Sequence, residues 1–186
     1  MSDLRQIITI SGAPASGKST LEAGLVWCFE GGKVRTITTR SPRPGESARA
    51  YEFCAPEELN VREDLLWRVE VHNGVYAVAA SGFIEAARET GGTALLAVTP
   101  AGHNLATSHF GSGGVRFVRM HLTYPGESVL RDRLLCRGDD LEQIARRLQD
   151  AHTFEKEVMS IEDVHHIAPH NRYVMLARAL SIIRVS

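Results

Sequence analysis

Apolar positions along this chain fall into two alternating patterns. Short runs rich in β-branched residues predict buried strands at Ile7-Ile8-Thr9-Ile10, Val34 to Ile37, Ala94 to Val98 and Val115 to Leu122. Between them, apolar residues recur at helical spacing and predict helices over Ser19 to Val26 and Phe83 to Thr90. Glycine pairs follow both, Gly31-Gly32 after the first and Gly91-Gly92 after the second. A further helix starts near Gly126, with Val129, Leu130, Leu134 and Leu135 as its expected apolar side. The next runs from about Asp140 to Val158 with Ile144, Leu148 and Ala151 as one stripe, and Tyr173 to Ile183 closes the chain as a last amphipathic helix. Such alternation is the signature of an α/β fold on a parallel sheet, with Ala94 to Val98, the most uniformly apolar run, as its central strand. The pattern changes in one region. Thr38 to Glu46 holds Pro42, Pro44 and Gly45 and predicts a shaped loop. Beyond it come a short strand at Tyr51-Glu52-Phe53 and a short helix from Pro56 to Asp64. Trp67 to Val71 and Val75 to Val78 then flank Asn73-Gly74, a hairpin signal.

Bulk properties narrow the function classes. The chain has 186 residues, suited to one domain. Its net charge of −1 supplies no general pull towards nucleic acid or an anionic membrane. Cys28, Cys54 and Cys136 form no Cys-x-x-Cys pair, which argues against a disulfide framework or zinc site and for a reducing compartment. No run reaches membrane-spanning length, and Met1 to Arg5 lacks a signal-peptide stretch. The expectation is a cytoplasmic monomer or homodimer acting on small molecules. His165, His166 and His170 cluster without a completing cysteine or carboxylate set and are read as structural.

The chemistry concentrates at Gly12-Ala13-Pro14-Ala15-Ser16-Gly17-Lys18-Ser19, followed by Thr20. This is a full match to the phosphate-binding loop pattern, and it sits between a predicted strand and a predicted helix as that motif requires. The glycines permit the tight path, backbone amides face the phosphates, Lys18 reaches the β- and γ-phosphates, and Ser19 is the expected Mg²⁺ ligand. The pattern predicts a nucleoside triphosphate site. From Lys33 to Arg49 the residues Lys33, Arg35, Arg40, Arg43 and Arg49 face the single acid Glu46, a second local anion site. Arg131, Arg133, Arg137, Arg146 and Arg147 crowd a pair of helices, as expected where a transferring phosphoryl group must be neutralised.

These motifs together resemble the guanylate kinase family. Thr38-Thr39-Arg40-Ser41-Pro42-Arg43-Pro44-Gly45-Glu46 with Tyr51 is similar to that family's acceptor-phosphate loop. Leu130-Arg131-x-Arg133-Leu134-x-x-Arg137-Gly138 with Arg147-Leu148 is similar to its arginine-bearing lid, and Asn171 stands near its late asparagine. The resemblance implies a three-layer P-loop fold with a five-stranded parallel sheet and two insertions. The core would comprise residues 1–37, 80–136 and 158–186, with an acceptor-binding insertion at about 38–79 and a lid at about 137–157. It also implies ATP bound by residues 12 to 20 and Asn171, and an acceptor held by Thr36, Arg40, Arg43, Tyr51, Glu70 and Tyr76. Lys18, Arg137 and Arg147 would be catalytic. The implied reaction is transfer from ATP, with Mg²⁺, to GMP.

The sequence also departs from the family. Trp67 and Thr99 stand where the family places the acids that read guanine, with Glu70 the nearest acid to the first. Tyr76-Ala77-Val78 lacks the family's hydroxyl residue after the hairpin, and the interval from Glu46 to Tyr51 is one residue short. The hairpin Asn73-Gly74-Val75-Tyr76 resembles that of ribose 1,5-bisphosphate phosphokinases, so a sugar bisphosphate stays open as the acceptor. A binding module without catalysis is the third reading.

Overall fold

The computed structural model describes residues 3–42, 51–71, 74–169 and 171–186. Strand β1 (Gln6–Gly12) is buried along its whole length and lies between β6 (Thr93–Ala97) and β7 (Arg116–Leu122). With β8 (Val164–Ile167) beyond β7, the order is β6-β1-β7-β8 and every pairing is parallel. Three features differ from the sequence reading. The parallel sheet has four strands rather than five among the described residues. The run predicted as a second strand divides between two sheets. At its start, a single bridge joins Lys33 to Leu95 at the β6 edge, and its end forms β2 (Thr36–Thr38) in a separate sheet. Consequently β6 is an edge strand, not the central one. Its uniform apolarity reflects cover on both faces, which periodicity cannot distinguish from a central position.

Strand alternation sets the layers. Ile8 and Ile10, with Val118, Met120 and Leu122 of β7, pack against α1 (Lys18–Phe29) and α7 (Arg172–Val185). On the opposite face Ile7, Ala94 and Leu96 meet Phe83 of α3 (Ala80–Thr90) and Phe110 of α4 (Pro100–Phe110). Burying each of these large side chains contributes at most about 1.5–3 kcal/mol. Helices α5 (Glu127–Cys136) and α6 (Leu141–Val158) pack through Leu130, Leu134, Ile144, Leu148 and Ala151. Val129 and Leu135, expected on the apolar side of α5, are exposed instead. A four-residue spacing satisfies the narrow seam that a single partner helix offers. The turn between the two helices is made by Gly138 at φ 86° and by a capping box. Gln143 N donates to the Asp140 carboxylate at 2.8 Å, and Asp140 N donates to Gln143 Oε1 at 3.3 Å.

The second sheet has the order β3-β2-β5-β4, with β3 (Tyr51–Phe53), β4 (Leu65–Val71) and β5 (Gly74–Ala79). Strands β4 and β5 are antiparallel with Val71 opposite Gly74, the arrangement the hairpin signal predicts. Helix α2 (Pro56–Asn60) begins at its proline and buries Leu59 beneath this sheet.

Candidate active site

Strand β1 delivers the chain into the loop at Gly12, and Gly17 returns it into α1. Gly12 holds φ 143°, and a Cβ there would stand 2.7 Å from the Leu122 carbonyl oxygen. Gly17 caps α1 at φ 111° without a side-chain cap, so the first amides of the helix stay available to an anion. Lys18 Nζ donates to the carbonyls of Gly12 and Ala13, each at 2.8 Å, and so arches across the loop. From outside, Arg133 of α5 donates to the Ala15 carbonyl at 3.2 Å and the Ser16 carbonyl at 3.4 Å. This buttress was visible in the sequence only as one of a crowd of arginines.

The loop opens on a cleft of about 560 Å³. Of the sequence-predicted residues, Gly12, Pro14, Ala15, Gly17, Lys18, Ser19, Thr20, Thr36, Tyr51, Tyr76, Arg137 and Arg147 line it. Ala13 and Ser16 lie under the loop, fully buried, and the Ser16 hydroxyl makes no hydrogen bond among the described residues. The cleft also takes in Gln143, Arg146, Asp150 and Phe154 of α6, which spacing alone did not select. Their presence follows from helical geometry, since Gln143, Arg147, Asp150 and Phe154 recur every three to four residues on one side of α6.

Arg137 and Arg147 meet on one carboxylate. Asp139 Oδ2 accepts from Arg137 Nε at 2.9 Å and from its Nη2 at 2.5 Å, while Arg147 Nη2 lies 3.4 Å from Asp139 Oδ1. Asp139 in the turn between α5 and α6 thus gathers the guanidinium groups of Arg137 and, from α6, Arg147 at the cleft. Two of the other crowded arginines pair within their own helices, Arg131 with Glu127 and Arg146 with Glu142.

The facing wall comes from the second sheet. Trp67, Val69 and Val71 of β4 and Tyr76 and Val78 of β5 point into the cleft, as does Thr99 beyond β6. Trp67 stacks on His109 at 5.5 Å between ring centres. Glu70 corrects the sequence reading. It is exposed, sits one residue out of phase with Trp67, Val69 and Val71, and does not line the cleft, because neighbouring strand residues face opposite ways. Arg40 is also away from the lining. It is buried with its guanidinium 4.6 Å from the Tyr51 ring centre and 5.3 Å from that of Phe53, so it backs Tyr51. Burial raises the Tyr51 hydroxyl's pKa, with Glu22 and Tyr76 adding to it and Arg40 opposing. Asn171 caps α7, its Oδ1 accepting from Tyr173 N at 2.8 Å. It stands beside a second groove lined by Ser19, Thr20, Ala23, Gly24, Arg172, Tyr173 and Leu176. Arg43 and Asn73 lie outside the described residues.

The residues fit a triphosphate. The loop carries the Lys18 ammonium group across it, and the first amides of α1 have no side-chain cap. For Mg²⁺ the fitting donor is the Ser19 hydroxyl, a hard oxygen at the start of α1, and phosphate oxygens and water complete the usual set.

No protein-family model matches the chain. Among curated relatives, a guanylate kinase of Cupriavidus metallidurans is 32% identical over 174 residues, 87% of this chain and 76% of that protein. One from Corynebacterium diphtheriae is 31% identical over 188 residues, 93% and 95% of the two chains. Among solved structures, guanylate kinase from Anaplasma phagocytophilum superposes with a TM-score of 0.71 at 19% identity, covering 98% of this chain and 86% of that one, a likeness of fold.

Proposed function

The chain belongs to the guanylate kinase family, and from that premise we propose that it transfers the γ-phosphoryl group of ATP to the phosphate of a small phosphorylated acceptor, GMP first. The observation that carries the reading is convergence. The phosphate loop, Arg137 at the end of α5, Arg147 of α6 and the hydroxyls of Thr36, Tyr51 and Tyr76 line one cleft. An acceptor phosphate oxygen attacks the γ-phosphorus, an O–P bond forms, the bond to the β-phosphate oxygen breaks, and ADP leaves. Lys18 and the loop amides hold the β- and γ-phosphates. Arg137 and Arg147 leave Asp139 for the transferring group and neutralise its equatorial oxygens. Mg²⁺, bound with ATP through Ser19, would neutralise further phosphate charge. Residues 137–157 act as the lid and 38–79 as the acceptor-binding insertion. The groove beside Asn171, Arg172 and Tyr173 takes the base of ATP.

The apolar wall bears on the acceptor. A sugar bisphosphate carries a second phosphate, and Trp67, Val69, Val71 and Val78 offer it no cation. A planar base fits such a wall better, which favours GMP over ribose 1,5-bisphosphate. The test is a coupled assay of ADP formation with GMP, dGMP, AMP and ribose 1,5-bisphosphate at fixed ATP and Mg²⁺. Turnover with GMP well above the sugar bisphosphate is expected. No turnover with any acceptor would favour a binding module without catalysis.

A further inference from the structure

Beneath the cleft, the face of the sheet covered by α4 and α6 is not wholly apolar. Thr9, Ser11, His103 and His121 are all buried there, at 1% exposure or less. They form one unbroken line. His103 Nδ1 is 2.7 Å from Thr9 Oγ1, and His103 Nε2 is 2.7 Å from Ser11 Oγ. Ser11 Oγ is 2.7 Å from His121 Nδ1, and His121 Nε2 is 2.8 Å from Glu155 Oε1 on α6. Ser11 and His121 are register partners on β1 and β7, so the link between them is built into the sheet. At its middle member, Ser11, the line passes one residue before Gly12 of the phosphate loop. Its Glu155 end lies one residue after Phe154 and two helical turns from Arg147.

We propose that Glu155 and His121 are positioning residues for phosphoryl transfer: through Ser11 and His103 they lock α6, which carries Arg147, to β1 at the root of the phosphate loop. The inference rests on reading Arg147 as a transfer residue. An ionised carboxylate only accepts, so it requires a proton on His121 Nε2. In a neutral imidazole Nδ1 then accepts, and the Ser11 hydroxyl donates to it. Ser11 Oγ accepts from His103 Nε2–H, and His103 Nδ1 accepts from Thr9. Every member is satisfied in one direction, ending on Glu155. Burial favours this neutral arrangement. It pushes His121 below its ordinary pKa, with Glu155 opposing and His166 of β8 and Lys18 of α1 adding to the depression. Burial also takes His103 down to about 3, with His121 and Arg119 contributing. A satisfied buried network of this kind is rigid, because each broken link strands a polar group without water. Arg147 lies two turns before Glu155 on the same helix, so this polar line fixes the register of Arg147 over the loop together with the apolar packing of Ile144, Leu148 and Ala151.

Two measurements test this. Imidazole ¹⁵N shifts in the unmodified protein should show both His103 and His121 as Nε2–H tautomers; an Nδ1–H tautomer at His121 would overturn the ordering. Glu155 is about a third exposed, so its variants should fold. Glu155→Ala should lower kcat about 10–100-fold with smaller changes in either KM, as loss of a positioning contact does. Glu155→Gln, whose amide oxygen still accepts from His121, should recover most of that loss at a similar melting temperature. In the Arg147→Ala background the Glu155→Ala effect should largely vanish, since both act through one group. Full multiplication of the two losses, or an unchanged kcat in Glu155→Ala, would sink the proposal. An unchanged kcat in Arg147→Ala alone would instead sink the reading of Arg147.

Discussion

The two ends of the cleft differ in the chemistry of their lining. At the phosphate end the contacts are charges and backbone dipoles. Lys18 lies over the loop, and Arg137 and Arg147 are gathered on Asp139. At the hairpin end Trp67, Val69, Val71 and Val78 supply apolar contact, with hydroxyls from Tyr76, Thr36 and Tyr51 at the side. A charge-rich end binds any triphosphate strongly and tells bases apart poorly. An apolar wall accepts a ring while offering few groups to read its edge. The lesson is that, on the proposed function, catalytic competence and acceptor selection can diverge within one cleft, because that reading rests them on different residues.

The contrast can be broken first at the charged end. Lys18→Ala should lower kcat by on the order of 10³-fold or more, because a charge aimed at the transferring group is lost. Circular dichroism should be unchanged, since Lys18 lies on the phosphate loop and donates to its carbonyls. An active variant would remove the distinction between the two ends. The hairpin end is sharpened by comparing kcat/KM for GMP, AMP and dGMP. A site that hydrogen-bonds a base edge discriminates by about 10⁴–10⁵, whereas shape alone gives about 10–200-fold. The preference for GMP over AMP should stay below about 10³-fold, an interpolation between those limits. Strict selectivity would mean that another group, such as Asp150 on α6, reads the base.

Acid should act beneath the phosphate end. His103 and His121 are held neutral in the fold, with depressed pKa values, while in the unfolded chain they titrate near the ordinary 6.5. The unfolded state therefore binds more protons below about pH 6.5. Stability is complete above that value and falls as the pH drops towards about 3 for His103. For His103 the slope approaches roughly 1.4 kcal/mol per pH unit, and His121 acts in the same direction. Urea titrations at pH 7.5 and 5.5 should show the loss, and a His103→Asn variant that still folds should show a smaller one. The smallest effect is expected at the hairpin end. Tyr76→Phe should raise the KM for the acceptor about 10-fold, the value of one hydrogen bond to a charged phosphate, and leave that for ATP unchanged.

How far the sequence was legible follows the same division. Gly12 to Ser19 is contiguous, so its strand–loop–helix context and chemistry could be read together, and each of its residues lines the cleft or lies beneath the loop. The hairpin strands were also legible, from Asn73-Gly74 and the alternation around it. The facing of Glu70 was missed although alternation carried the signal: Trp67, Val69 and Val71 share a parity that Glu70 does not. The strand β8 was missed because Val164-His165-His166-Ile167 is short and half polar, and only its parallel partner β7 makes it a strand.

The sequence by itself determined the phosphate loop, the α/β alternation, the helix boundary near Asp140 and the family to which the chain belongs. Those depend on residues close together, where spacing and backbone conformation are enough. Tertiary structure alone decided the edge position of β6 and the gathering of Arg137 and Arg147 on Asp139. It also decided the line from Thr9 through His103, Ser11 and His121 to Glu155. In that line the partners are 34 to 110 residues apart. A hydrogen bond acts over about 3 Å, so these contacts exist only once β1, β7, α4 and α6 have packed together.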